Sequence, residues 1–288
     1  MKTRLLATLA VAGALGCGTA NAATVFSNAT TPGDSYTNAG AANQGQAVGV
    51  SGWVYNNVRN SGSVGISKAE PRSGTGSVSF SSPSGAAKAD IEYLAGATNV
   101  GGNFYATASL GAFSDLVSMT YDWFRDGTST TSLNQLPSLR VLLDRDGDLS
   151  TTGDRGGLVF ERVYNALPAV SDVWTTDTVT AATKVWNFGL GLGTGYDIGG
   201  NGYAYDDSLG AWQAFLQNAR ILGFSSGVGS GWSGSFSGAV DNIGWNIGGT
   251  ATVTNFEVAA AVPLPAPALM LLAALGGLGA LNRRRKAA

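Results

Sequence analysis

Apolar and polar side chains alternate in many short segments of this 288-residue chain, and this pattern constrains its fold more than any other feature. Residues 77–81 alternate strictly as Ser-Val-Ser-Phe-Ser, and Leu139, Val141 and Leu143 keep the same period. A period of two places the apolar side chains on one face of a β-strand. Since the chain also has 42 glycines to supply turns, we predict many short strands joined by loops.

A single helix is predicted for residues 208–219, where Leu209, Trp212, Phe215 and Leu216 recur at helical spacing. Further strand patterns occupy residues 90–94, 117–123, 158–164, 174–179, 184–188, 220–224, 240–247 and 252–258. This set predicts an all-β fold, an antiparallel β-sandwich of jelly-roll type with one short helix. A β-helix is the alternative, but the chain lacks the short repeat that such a fold requires.

The residue types that are absent exclude several kinds of chemistry. The chain has no histidine, which removes histidine-dependent nucleophilic catalysis and histidine metal sites. Its one cysteine, Cys17, lies in the N-terminal segment, so no disulfide is expected in the body of the protein.

The charge of the body argues against nucleic-acid binding. Six of the 17 basic residues lie in the two terminal segments, which leaves 11 basic and 19 acidic residues and a net charge of −8. Such a surface repels phosphate backbones, so we expect no nucleic-acid partner.

The N-terminus has the pattern of a secretory signal peptide. Lys2 and Arg4 precede a short apolar stretch, and small residues end at Ala22, so signal peptidase is expected to cleave between Ala22 and Ala23. A buried N-terminal helix is one alternative. A lipoprotein acylated at Cys17 is the other, although the residues before Cys17 fit a lipobox poorly.

The C-terminus combines a proline-bearing motif, an apolar run over residues 266–281 and a basic cluster over residues 283–286. The motif consists of Val262, Pro263, Leu264, Pro265 and Ala266. This order resembles the PEP-CTERM class of sorting signals in its VPLPA variant. The resemblance implies insertion of the apolar helix into the inner membrane, processing by an exosortase-type enzyme and delivery to the surface or biofilm matrix of a Gram-negative bacterium. A plain C-terminal anchor is the alternative.

The chain therefore divides into four predicted parts. Residues 1–22 form the signal peptide, residues 23–62 an extended lead-in with edge strands, residues 63–261 the β-sandwich, and residues 262–288 the sorting signal. The body also resembles domains that PEP-CTERM proteins carry, a class that implies no single activity. Its closing stretch is similar to the last strand of carbohydrate-binding jelly rolls, and this resemblance implies a structural calcium at Asp241.

An acidic loop is the sharpest candidate for a cation site. Asp144, Asp146 and Asp148 alternate along a predicted hairpin tip, and Asp154 follows. Carboxylates in such a turn can converge on calcium, which takes six to eight oxygen ligands. The loop lacks the glycine and glutamate of an EF-hand, and a solvated loop with internal Asp–Arg pairs is the alternative.

Aromatic residues suggest a second kind of site. Trp53, Trp212 and Trp232 are candidates for stacking on sugar rings, with core packing as the alternative for each. A polysaccharide hydrolase would need a pair of carboxylates, for which Glu92, Asp122 and Glu161 are candidates.

The predicted function is a non-enzymatic structural or adhesive role at the cell surface or in the extracellular matrix. The alternative is a carbohydrate-binding module, with calcium as a candidate cofactor and an extracellular polysaccharide as partner. A polysaccharide hydrolase comes third.

Overall fold

The computed structural model describes residues 21–261, and the predicted sorting signal and most of the signal peptide lie outside them. The described part contains eighteen β-strands, one α-helix and two short 3₁₀ segments. The strands of the first half are β1 (Asn21–Thr30), β2 (Tyr36–Asn38), β3 (Gln44–Ala47), β4 (Trp53–Arg59), β5 (Gly62–Ser67), β6 (Ser77–Ser82), β7 (Lys88–Leu94), β8 (Thr98–Val100) and β9 (Asn103–Tyr105). Those of the second half, with the helix, are β10 (Gly111–Ala112), β11 (Leu116–Arg125), β12 (Ser138–Asp144), β13 (Arg155–Phe160), β14 (Thr175–Thr180), β15 (Trp186–Gly189), α1 (Leu209–Phe215), β16 (Arg220–Gly229), β17 (Phe236–Ile247) and β18 (Thr250–Ala259).

Two eight-stranded sheets face each other and confirm the predicted all-β sandwich. The first sheet runs β1-β18-β17-β6-β5-β2, with β11 on the other side of β17 and β14 beyond β11. The second sheet runs β15-β13-β12-β16-β7-β4-β3, and β10 pairs with one end of β16. Strands β8 and β9 form a separate hairpin.

The pairs of strands are antiparallel with one exception. Strand β1 pairs in parallel with β18, so that Val25 lies opposite Phe256. Ala22 and Ala23, the predicted cleavage residues, lie in this strand opposite Val253 and Thr254. Within residues 21–261, no helix is both long enough and apolar enough to cross a membrane.

The core lies between the two large sheets and is formed by their inward-facing side chains. In β12, Leu139, Val141 and Leu143 are completely buried, as their alternation predicts. In β11, Met119 and Tyr121 face the core, whereas Val117 is 53% exposed because a bulge shifts the register near the start of the strand.

The predicted lead-in of residues 23–62 belongs to the sandwich, and its strands β1, β2 and β3 lie at the edges of the two sheets. It contributes β1 to β4, and β4 lies inside the second sheet between β3 and β7. Trp53 and Tyr55 of β4 are buried in the core, which explains why this apolar cluster occurs in an otherwise polar segment.

The helix is shorter than predicted. Ser208 caps its N-terminus by accepting the N–H of Ala211, and the helical conformation ends at Phe215 because Leu216 departs from it. Leu209 and Trp212 are buried as expected, but Phe215 is 47% exposed.

Candidate functional site

A groove with a volume of 740 Å³ crosses the outer face of the second sheet. Six strands of this sheet, from β4 to β15, contribute to it, which corresponds to a width of about 24 Å at the usual spacing of strands. The β8–β9 hairpin forms one wall, and the loop that follows β16 forms another. Because the inner face of the sheet is filled by the core, the lining residues of β7 and β12 are alternate residues whose side chains face outward.

An ion-pair network lies at the floor of the groove. Asp90 of β7 accepts a hydrogen bond from Nη1 of Arg140 in β12 at 2.8 Å, and Nζ of Lys88 lies 3.1 Å from its other oxygen. Asp90 is fully buried and Arg140 is 8% exposed. Burial alone would raise the pKa of Asp90, but the two cations outweigh it and hold the pKa below its ordinary value. The charges are therefore fixed in place before any ligand arrives.

Glu92 is held by amide side chains instead of cations. Nδ2 of Asn56 donates to it at 2.7 Å, and Nδ2 of Asn57 donates at 3.0 Å. Burial and the neighbouring Asp90 charge raise the pKa of Glu92. Asn56 also binds the backbone N–H and C=O of Phe104, which fixes the β8–β9 wall to the floor.

Glu161 lies on the opposite side of the groove, directly after β13. Nε1 of Trp186 donates to its carboxylate at 3.2 Å. Burial raises the pKa of Glu161, while the Trp186 bond and the charge of Arg140 oppose this increase. This contact also orients the Trp186 ring along the groove wall.

Aromatic rings from separate parts of the chain line the groove. They are Phe104, Tyr105, Trp186, Phe188 and Trp232. Tyr105 is 50% exposed, and Trp186, Phe188 and Trp232 are partly buried. Rings of this kind beside paired charges and amides give a surface that can contact both the C–H faces and the hydroxyls of a sugar.

Two of the three predicted stacking residues are core residues, and the prediction is wrong for them. Trp53 packs against Trp245 and Phe256, with centroid distances of 6.1 and 4.9 Å. Trp212 is completely buried in α1, and its Nε1 donates to the backbone carbonyl of Val185. Trp53 is 2% exposed and Trp212 is 0% exposed, so neither ring offers a free face for stacking.

Trp232 is the one predicted stacking residue that the structure places at the groove. It lies in the loop after β16 and packs edge-on against Phe236, with the two ring centroids 5.2 Å apart. That contact anchors one edge of the indole and leaves the side chain partly exposed.

Three of the five predicted calcium ligands come together. One carboxylate oxygen from each of Asp144, Asp146 and Asp154 lies within 4.8 Å of the others. Asp144 already accepts from Arg155 Nε and from the backbone N–H of Gly147, at 3.1 and 2.9 Å. Three oxygens are fewer than calcium requires, so backbone carbonyls or water would have to complete such a site.

The carboxylates of the other two predicted ligands are not part of this group. Asp148 is exposed and accepts both the backbone N–H and the hydroxyl of Ser150. Asp241 is in the first sheet, where the backbone N–H groups of Ser73, Asn242 and Phe256 donate to it. Burial raises the pKa of Asp241 to about 6 although these three bonds oppose the change.

Calcium at the acidic loop stays a prediction that a thermal melt can test. A cation that binds only the folded state raises the midpoint of unfolding. A higher midpoint in calcium than in excess chelator, lost in Asp146→Ala, would support the site. Equal midpoints would show a loop held by its own turns.

The three predicted hydrolase carboxylates are divided between the sheets. Glu92 and Glu161 both line the groove, whereas Asp122 lies in the first sheet and binds Arg72 and Asn242. Three steps between neighbouring strands separate β7, which carries Glu92, from β13, which Glu161 follows. This places their backbones about 14 Å apart.

Much of the groove was not among the predicted site residues. Lys88, Asp90, Arg140 and Trp186 were not identified, although Asp90 and Arg140 lie in the interior of their strands. A charge at the centre of a strand that is otherwise apolar was the available signal, because such a charge needs a partner across the sheet.

No protein-family model matches the chain, and no curated protein matches it. Among solved structures, the chain is similar to the family 11 carbohydrate-binding module of the cellulosomal cellulase Lic26A-Cel5E of Clostridium thermocellum. The TM-score is 0.34 at 12% sequence identity, and the match covers 72% of this chain and 86% of that chain. At such a TM-score, the likeness carries no conclusion about the fold or the ligand of this chain.

Proposed function

We propose that this protein is a non-enzymatic polysaccharide-binding protein, and that it holds a sugar chain in the groove of the second sheet. The observation that carries the proposal is the groove itself, which is open along six strands and lined by aromatic rings beside charges already paired. A long open groove can hold a polymer. Its polar groups are already fixed by their partners, so little entropy is lost in ordering them when the ligand binds. The jelly-roll assignment belongs to the same proposal, and consecutive strands that change sheets, such as β4 and β5, support it.

The charges of the groove favour a neutral polysaccharide. Its lining includes four cationic side chains, Arg59, Lys88, Arg140 and Arg155, and three carboxylates, Asp90, Glu92 and Glu161. Arg155 is neutralised in addition by Asp144, at 3.1 Å. Since the two signs nearly cancel, a polyanion or polycation would gain little net attraction, whereas hydroxyl groups find both donors and acceptors.

The spacing of the carboxylates supports binding without cleavage. Glycosidases place their two carboxyl groups about 5–9.5 Å apart. The backbones of Glu92 and Glu161 are about 14 Å apart, and Arg140 is on a strand between them. A polysaccharide that is incubated with the protein should therefore show no new reducing ends.

The site of action in this proposal is the cell surface or the extracellular matrix. It rests on the two terminal segments of the sequence, residues 1–22 and 262–288. Polysaccharide binding there would give the protein an adhesive role in the matrix. Mass spectrometry of the exported protein should find Ala23 at its N-terminus, and removal of residues 262–288 should change where the protein is retained.

Affinity electrophoresis in gels that contain one soluble polysaccharide each tests the binding. The panel contains neutral glucans and mannans, alginate as a polyanion and chitosan as a polycation. We expect retardation by at least one neutral polymer. Loss of a desolvated aromatic contact costs about 2 kcal/mol, so Trp186→Ala and Trp232→Ala should each weaken that binding roughly 30-fold.

Trp174→Ala is the matched control because Trp174 is also partly buried but packs on Phe124, outside the groove. Thermal melts of all three variants check that they fold. Retardation by the charged polymers alone, or equal loss in Trp174→Ala, would contradict the proposal.

A further inference from the structure

A cluster of tyrosines adjoins the groove at its β15 edge and has no part in the floor or walls described above. Tyr164 stacks on Tyr205 with a centroid distance of 4.5 Å and an interplanar angle of 22°. Tyr203 packs against Tyr205 at 5.6 Å. We call Tyr164, Tyr203 and Tyr205 the tyrosine cluster.

The tyrosine cluster is continuous with the groove through Trp186. The Trp186 ring lies 5.8 Å from that of Tyr205, and Trp186 is itself a lining residue of the groove. Aromatic surface therefore runs from the groove wall across the edge strand without interruption. This continuity argues for one extended ligand over the groove and the cluster.

The outermost ring of the tyrosine cluster is exposed and its loop is held in place. Tyr203 is 51% exposed, so core packing does not account for its position. Asp197 accepts the backbone N–H groups of Gly200 and Gly202, at 2.7 and 2.6 Å. The N–H of Tyr203 in turn binds Oδ1 of Asn201 at 2.9 Å. A loop ordered in this way presents its ring at little entropic cost on binding.

We propose that the tyrosine cluster is a second subsite for the same polysaccharide, in which a pyranose ring beyond the end of the groove stacks on Tyr203. This inference rests on the function proposed above. The ligand is then a sugar chain longer than the groove. One of its rings places its apolar C–H face on Tyr203, and the hydroxyls of that ring face water. A protein partner is not needed to explain the exposed ring.

Dependence of affinity on chain length tests this subsite. The probes are cello-, laminari- and manno-oligosaccharides, each as trisaccharide and hexasaccharide, with isothermal titration calorimetry on the whole protein. One added stacking contact should make the hexasaccharide of the binding series bind about tenfold more tightly than the trisaccharide. Tyr203→Ala should reduce this ratio and leave the affinity for the trisaccharide unchanged.

Two variants separate the loss of the ring from general damage to the loop. Tyr203→Phe keeps the ring and should keep the ratio of affinities. Tyr196→Ala removes a tyrosine that is 40% exposed on the same loop but stacks on Phe215, and it should also keep the ratio.

The outcomes distinguish this inference from the function on which it rests. Equal binding of both lengths, or a ratio that Tyr203→Ala does not change, would overturn the subsite and leave the groove intact. Binding of none of the six oligosaccharides would overturn the proposed function and the subsite together.

Discussion

The carboxylates of the groove show how neighbours decide the ionisation of a buried acid. Asp90 has two cationic partners, and these hold its pKa down despite complete burial. Glu161 has the Trp186 N–H as its direct partner, and burial raises its pKa. In the folded state Glu161 therefore binds a proton more readily than it does in the unfolded chain, and this difference has a consequence for stability.

Glu161→Gln should change the pH dependence of stability. Because the folded-state pKa of Glu161 is raised, this residue makes its full contribution to the free energy of unfolding below about pH 4.5. The wild type loses that contribution as the pH rises through the folded-state pKa. The loss is about 1.4 kcal/mol for each unit of the increase in pKa. Glutamine stays neutral and can still accept from Trp186, so the variant should match the wild type near pH 4 and exceed it at pH 8.

Chemical denaturation at a series of pH values measures this difference. The control is Asp126→Asn, since Asp126 is a partly exposed acid whose pKa is lowered by hydrogen bonds from Thr128. Because its pKa is lowered, Asp126 stabilises the folded state when it is ionised, and this stabilisation should be lost as the pH falls. A constant difference between Glu161→Gln and wild type at all pH values would contradict the argument.

At the scale of the element, glycine allows neighbouring strands to bring the groove charges together. Gly227 of β16 lies between Asp90 of β7 and Ser138 of β12. A Cβ atom at Gly227 would lie 2.0 Å from Oδ1 of Asp90, the oxygen that binds Arg140. The space above this glycine is thus taken by the ion pair itself.

Gly227→Ala should therefore destabilise the protein and weaken polysaccharide binding at once. Overpacking of this kind costs about 1–3 kcal/mol. Gly153→Ala is the matched control because a Cβ at Gly153 has no atom within 4 Å. Urea denaturation should show a lower midpoint for Gly227→Ala alone, and equal midpoints for the two variants would refute the assignment.

The same elements show what could be predicted from the sequence. The inward residues of β12 and the strand β6 follow from alternation, because a period of two depends only on local order. For Trp53 the sequence left stacking on a sugar and core packing both open, because the choice depends on contacts that are distant in the sequence. Its ring in fact packs on Phe256, in a strand far along the chain.

The groove could not be predicted for a related reason. Its floor joins β7, β16 and β12, which are neighbours in the sheet but not in the sequence. Strand order decides which outward side chains meet, and alternation carries no information about strand order. The acidic loop was easier to identify because its residues are close in sequence.

At the scale of the whole molecule, β1 closes the edge of the first sheet and covers the core. Val25 is 5% exposed and packs in the core, whereas Phe26 is 54% exposed on the opposite face of the same strand. The strand is also held by Asp34, which accepts the backbone N–H groups of Asn28 and Ala29, each at 2.8 Å.

Val25→Asp should thus destabilise the fold by about 2–4 kcal/mol, because it places an unpaired charge in the core. Phe26→Asp tests the neighbouring position, where the charge faces water, and should have little effect. Differential scanning calorimetry of both variants measures the difference. A similar decrease in midpoint for both would mean that β1 is not docked as described.

The pairing of β1 with β18 also sets an order of events for folding. Ser27 accepts the backbone N–H of Ala259 at 2.9 Å across a sequence separation of 232 residues. The first strand can therefore find its partner only after the last strand has been synthesised, and contacts of such long range form slowly. If the chain is exported as proposed, its first sheet stays incomplete until β18 has crossed the membrane, so the finished sandwich forms only on the far side.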